Sequence, residues 1–188
     1  MQNEIPKIYY FINGFNLSDL KNLGKNINLI YRNYQKKISH KELLSIKKFC
    51  ELTKRKFFIS NNIKLALNLK LNGIYIPSFN NKINYLSSFS FEKKFEIIGS
   101  AHNYAEIQIK KKQGCSEVFL SPIFSVKKNK NYLNIYNFNK LTVNKKINFI
   151  ALGGINEKNY KKIRLTKSLG FAGISWIKKN GLRKLRPF

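Results

Sequence analysis

The chain has 188 residues, a formal net charge of +27 and two cysteines, a length that suits one domain over 1–188 with a sizeable core. Cys50 and Cys115 lie far apart with no metal-type spacing, which argues against a disulfide framework and a zinc site. The charge invites a nucleic-acid reading, but it is carried by 31 Lys against 5 Arg, scattered among 25 Asn, so it reads as compositional drift that still attracts anionic substrates.

Short apolar runs alternate with helix-period stretches from end to end. Strands are predicted over 7–13, 27–33, 56–60, 73–77, 96–102, 117–122, 147–154 and 171–177. Between them, 39–55 opens with Ser39 and Glu42 in capping-box spacing, with Cys50 on its apolar side. The stretch 103–114 opens the same way with Asn103 and Glu106 and stops at Gly114, and 156–170 starts at Asn156 and ends at Gly170. Segments after the first and fourth strands have room for a turn or two only. Eight strands, apolar at nearly every position and each followed by a helical or turn segment, predict a compact (β/α)8 barrel with shortened helices and a truncated last helix. A doubly wound open sheet is the alternative. The N-terminus lacks the features of a secretory signal and no run approaches the roughly 18 apolar residues of a membrane span, so a soluble, cytoplasmic protein is expected.

In such a barrel the strand C-termini build the site. They offer Asn13; Arg32, Asn33 and Tyr34; Ser60, Asn61 and Asn62; Pro77 and Ser78; Ser100 and His102; Ser121; Gly153 and Gly154; and Ser175 with Trp176. No acid is among them, so paired-carboxylate chemistry and a hard-cation cage are not expected. Ser100 and His102 share a strand face, as do Ile30, Arg32 and Tyr34. His102 is the side chain there suited to acid/base work, although a histidine at a strand end can equally serve as a helix cap or a core hydrogen bond. Gly153 and Gly154 suit either a tight turn or an anion on backbone N–H groups beside a helix start. The loop 125–131, with Lys127, Lys128 and Lys130, is a solvated charge run or an anion contact.

In order and spacing, IGSAHN (98–103), FLSPIF (119–124), ALGGIN (151–156) and GFAGISWI (170–177) resemble the thiamine-phosphate synthase and thiazole tautomerase family of small barrels. Synthases of that family join a pyrimidine pyrophosphate to a thiazole phosphate with loss of pyrophosphate, using magnesium; tautomerases isomerise a thiazole carboxylate phosphate without it. The resemblance implies a thiazole phosphate on the backbone around Gly153, Gly154, Ile174 and Ser175, Arg32 and Ser100 on the pyrophosphate, and His102 as acid/base. The synthase's magnesium aspartates correspond to Asn61 and Asn80, its glutamine and lysine beside the arginine to Ile30 and Tyr34, and its threonine–lysine loop to 125–131, where the three lysines could substitute for metal charge. Pro77 and Ser78 lean toward the tautomerase pattern. The expectation is therefore a metal-independent tautomerase-like enzyme with no cofactor, Mg2+ entering only with synthase activity. The alternatives are a synthase and a non-catalytic phosphate-ligand binder. Expected partners are a thiazole phosphate and, for a synthase, the pyrimidine pyrophosphate, without specific nucleic acid or membrane; an oligomer is compatible with the sequence.

Overall fold

The computed structural model of the chain describes residues 6–24, 26–35, 39–126, 131–143, 147–173 and 176–177. Eight strands run in chain order: β1 (Lys7–Ile12), β2 (Ile27–Tyr31), β3 (Phe57–Ser60), β4 (Gly73–Ile76), β5 (Glu96–Ala101), β6 (Glu117–Leu120), β7 (Asn148–Leu152) and β8 (Gly170–Gly173). Each pairs parallel with the next and β8 pairs with β1, closing a barrel. Outside it lie α1 (Leu17–Lys21), α2 (His40–Leu52), α3 (Ile63–Asn68), α4 (Tyr104–Lys112) and α5 (Asn134–Thr142), with a 3-10 helix (Tyr160–Leu165) before β8. The β4–β5 connection, residues 77–95, holds turns and no helix. The chain is thus a (β/α)8 barrel with shortened helices; the truncated last helix expected after β8 falls at 178–188, outside the described residues. Among the described residues, no helix is long and apolar enough to cross a membrane.

The helix ends show which signals were physical. Ser39 caps α2 by accepting the Glu42 N–H at 3.3 Å, and Asn103 caps α4 by accepting the Glu106 N–H at 3.0 Å. Gly114 stops α4 at φ +78°, where the Cys115 N–H reaches the Lys110 carbonyl at 3.0 Å. Two expectations fail. The stretch after β7 is not an α-helix capped by Asn156: that side chain accepts the Lys158 N–H in a local turn at 2.9 Å, and only the 3-10 helix follows. The last strand ends at Gly173 rather than 177, and Trp176 and Ile177 are helical. There Trp176 stacks near Tyr160, 5.0 Å between ring centroids, so its packing is with the outer layer and not the mouth.

Strand alternation sends one set of side chains outward under the helices and another into the barrel. The interior holds Tyr9, Phe11, Ile30, Phe58, Tyr75, Ile98, Phe119, Ile150 and Ala172. Five of these nine are aromatic, and they meet edge to face, Tyr9 with Phe119 at 4.9 Å and Phe11 with Tyr75 at 5.3 Å. Each such ring contributes on the order of 2 kcal/mol by burial. Together they fill the axis and leave a ligand no space along it. Cys50 and Cys115 are buried thiols, each pushed up to about 12 by burial.

At the opposite end, Glu117 opens β6 with 3% exposure and accepts the Tyr9 hydroxyl at 2.6 Å and the Lys7 ammonium. Glu96 and Lys56 pair beside it. Charge at this end of the barrel serves stability rather than chemistry. Glu117→Ala is expected to cost about 2–3 kcal/mol, because the buried Tyr9 hydroxyl loses its acceptor. Urea unfolding midpoints measure that loss, and activity per folded molecule should not change.

Candidate active site

Three inward side chains form a polar cluster on top of the aromatic interior. Arg32 stands one residue beyond β2; its N–H donates to the Ile12 carbonyl at 2.7 Å and its guanidinium carbon lies 4.6 Å from the centre of the Phe11 ring. Tyr75 on β4 is fully buried, and Ser100 and Arg32 lie near enough to its phenol to act on its proton. Burial pushes that phenol up to about 12, with both neighbours pulling the other way, so at neutral pH it keeps its proton. Ser100 on β5 is buried at 5% exposure. A guanidinium, a phenol and a hydroxyl converge here, a donor set made for an anion. Arg32 and Ser100 are where strand alternation placed them. Tyr75 was missed, because GIYI reads as a purely apolar strand. Its signal lay in register, since it pairs with Ser60 on β3 and so belongs to the face that ends in hydroxyls.

His102 follows β5 and is held by four groups. Its ring Nδ1 lies 2.9 Å from the Ser121 carbonyl oxygen and 3.2 Å from the Ser121 hydroxyl, and Nε2 lies 3.1 Å from the Ser78 hydroxyl. A carbonyl can only accept, so Nδ1 carries the proton, and the neutral ring offers Nε2 as a base toward Ser78. The His102 N–H donates to Glu106 at 2.8 Å, which ties the residue to the first turn of α4. The ring is exposed, so it is reachable from solvent.

Asn61 and Asn80 also meet. The Asn80 amide donates to Asn61 Oδ1 at 2.7 Å, and Asn61 has φ +55°, a left-handed value that asparagine tolerates. Neutral amides that satisfy each other are poor ligands for a hard dication, which wants charged oxygens in an octahedral shell. Among the described residues no group of three or more His, Cys, Asp and Glu could hold a metal ion. These positions do not fit a protein-held magnesium. Nearby, the Tyr34 hydroxyl lies 2.7 Å from the Ser60 hydroxyl and its ring packs edge-on against Phe79 at 5.6 Å, forming an exposed aromatic rim.

Gly153 and Gly154 have φ +92° and +71°. A Cβ on Gly153 would stand 2.8 Å from the Pro122 side chain, and one on Gly154 would stand 2.4 Å from the Phe124 carbonyl oxygen. The space that glycine leaves is therefore occupied by the chain's own β6–β7 loop. The Gly153 carbonyl accepts the Phe124 N–H at 3.2 Å and the Gly154 carbonyl accepts the Asn159 amide at 2.9 Å, while among the described residues neither glycine's own N–H donates a hydrogen bond. Both carbonyls are thus turned into the fold and both amides are left over. The helix start expected beside them is replaced by turns, so no helix dipole assists. Ile174, Ser175, Lys127, Lys128 and Lys130 lie outside the described residues.

No acid ends a strand, yet Glu42 reaches from α2 to the loop after β1, accepting the Phe15 N–H at 2.8 Å and the Tyr31 hydroxyl at 3.2 Å. With Asp19, Asn13, Phe15 and Arg32 it lines a cleft of about 570 Å³. The capping-box spacing concealed this, since Glu42 does take the Ser39 cap through its N–H while its carboxylate goes elsewhere.

A model described as thiamine monophosphate synthase matches residues 25–177. The chain is 32% identical over 120 residues to the thiamine-phosphate synthase of Prochlorococcus marinus subsp. pastoris, covering 62% of this chain and 34% of that protein. A second Prochlorococcus marinus thiamine-phosphate synthase is 32% identical over 120 residues, 62% of this chain and 33% of that one. The chain therefore spans about a third of the length of these curated relatives. Among solved structures, a thiamine phosphate pyrophosphorylase from Pyrococcus furiosus superimposes with a TM-score of 0.74 at 18% identity, over 98% of this chain and 96% of that one. The N-(5'-phosphoribosyl)anthranilate isomerase of Pyrococcus furiosus gives 0.65 at 13% identity over 94% of each. At those identities the structural likeness speaks for the fold alone. The family match, in contrast, runs from β2 through β8 and takes in Arg32, Asn61, Asn80, Ser100, His102 and the glycine pair. The chain belongs to the thiamine monophosphate synthase family.

Proposed function

We propose that this chain is a thiamine-phosphate synthase, joining a pyrimidine pyrophosphate to a thiazole phosphate with release of pyrophosphate. The observation that carries the reading is the Arg32–Tyr75–Ser100 cluster, a set of donors held at the mouth above a filled barrel. As the bond between the pyrimidine carbon and the pyrophosphate breaks, the leaving oxygen gains charge, and preorganised donors stabilise that charge most where water is excluded. Arg32 supplies the fixed cation, Tyr75 and Ser100 neutral O–H groups. The thiazole phosphate would sit on the Gly153 and Gly154 amides, with Ile174, Ser175, Lys127, Lys128 and Lys130 as its other proposed contacts. Asn61 and Asn80 give no support to a metal held by the protein, so every step assigned here rests on the chain's own groups. The curated relatives are named as synthases, which favours this reading over a tautomerase.

The test is an assay of purified protein with both substrates, with and without added magnesium. Pyrophosphate release that needs both substrates is expected, and none at high enzyme concentration would reject the reading. The tautomerase reading keeps one specific support, the His102 ring fixed in one tautomer by Ser121 with Nε2 available. It predicts that the protein isomerises a thiazole carboxylate phosphate and that His102→Ala abolishes this while leaving phosphate-ligand affinity within about threefold, a modest change of under 1 kcal/mol. Isomerisation unaffected by His102→Ala would remove the histidine from that chemistry. Saturable binding without product in either assay would select a non-catalytic ligand binder.

A further inference from the structure

The β4–β5 connection has no helix to hold it, yet it carries two of the mouth's side chains. Its first turn, closed by the Asn80 N–H to the Pro77 carbonyl at 3.1 Å, presents Ser78 to His102 and Asn80 to Asn61. That turn is gripped from α4. Lys110 is 0% exposed, and its ammonium donates to the Pro77 carbonyl at 2.8 Å, the Asn80 carbonyl at 2.8 Å and Gln113 Oε1 at 3.0 Å. Three acceptors take all three ammonium protons. Gln113 repeats the grip, its amide donating to the Asn80 carbonyl at 2.9 Å and the Lys82 carbonyl at 3.0 Å.

Burial pushes Lys110 down to about 8, which leaves it charged at neutral pH. A cation taken out of water among neutral oxygens carries a desolvation cost that a methionine of similar volume would avoid. Core packing therefore gives no reason for a lysine at this position, whereas the loop it holds does. We propose that Lys110 is a positioning residue of the mouth, acting through Ser78 on the His102 imidazole and through Asn80 on Asn61, with Gln113 as its brace. This deepens the reading of the same site given above. Its test is read on the imidazole rather than on turnover, so the two can fail separately.

The chain has two histidines, His40 at the start of α2 and His102, so each can be followed in a 15N-labelled sample of the full chain, with His40 as the internal control. In Lys110→Met, the His102 Nε2 resonance is expected to move in the direction seen in Ser78→Ala, by at least half that shift, while His40 stays in place. Gln113→Leu, which releases the Lys82 carbonyl, removes one of the two donors to the Asn80 carbonyl and takes one acceptor from Lys110 while keeping the lysine on Pro77 and Asn80, should give a smaller shift of the same sign. A folded Lys110→Met protein whose His102 signal coincides with wild type overturns the proposal. Should Lys110→Met fail to fold, Gln113→Leu decides in the same way: a shift toward the Ser78→Ala position supports it, and coincidence with wild type overturns it.

Discussion

Gly154→Ala is expected to lower stability by about 3 kcal/mol and to weaken the proposed thiazole-phosphate binding by about a hundredfold in the fraction that remains folded. Two costs add. The residue sits at φ +71°, where a Cβ atom costs roughly 1 kcal/mol or more. The new methyl would also stand 2.4 Å from the Phe124 carbonyl oxygen and 2.6 Å from that of Ser125, both backbone atoms that cannot rotate away. The loop after β6 must then shift, and with it the surface facing the two unused amides. Gly114→Ala separates the contributions, because its φ is +78° but the nearest atom to an added Cβ is 3.8 Å away. That variant should lose only the conformational part, about 1 kcal/mol. Equal unfolding midpoints for the two variants would show that the contact with the β6–β7 loop carries no energy.

Arg32→Met is expected to cut kcat/KM of the proposed synthase reaction by 10²- to 10³-fold, about 3–4 kcal/mol of transition-state stabilisation, with little change in stability. The guanidinium is half-buried over Phe11, and methionine keeps much of that apolar contact while removing the charge. Arg32→Lys should recover only part of the loss, since an ammonium cannot present a planar fork to a pyrophosphate. A kcat/KM within fivefold of wild type in Arg32→Met would take the leaving group away from this cluster. A fall confined to KM would assign the guanidinium to uniform binding instead.

The barrel was legible because its signals are local. Apolar runs broken by capped amphipathic segments give strand number, order and parallel sense, and alternation grouped Arg32 with Ile30 and Ser100 with His102 on faces that the fold turns inward. Ser39, Asn103 and Gly114 were legible for the same reason, since a cap reads its own neighbours within four residues. Groups whose role depends on partners far along the chain were not. Lys110 looks like one of three lysines in a solvated run, and only the fold turns it inward toward residues 30 and 33 positions away. Glu42 satisfied a capping motif and so gave no hint of its reach to Phe15. After β7 the sequence suggested a helix capped by Asn156, where the structure has only a 3-10 helix without a side-chain cap, and α5 had no predicted segment of its own. The glycine pair was read for its conformational freedom, and what decides its surroundings is the neighbouring loop, a contact between residues about 30 apart that periodicity does not encode.

The stopper of aromatic rings along the barrel axis governs traffic. With the axis sealed beneath Arg32 and Tyr75, molecules come and go through one doorway. On the proposed synthase reading two reactants would share it, so the one seated deeper would have to arrive first.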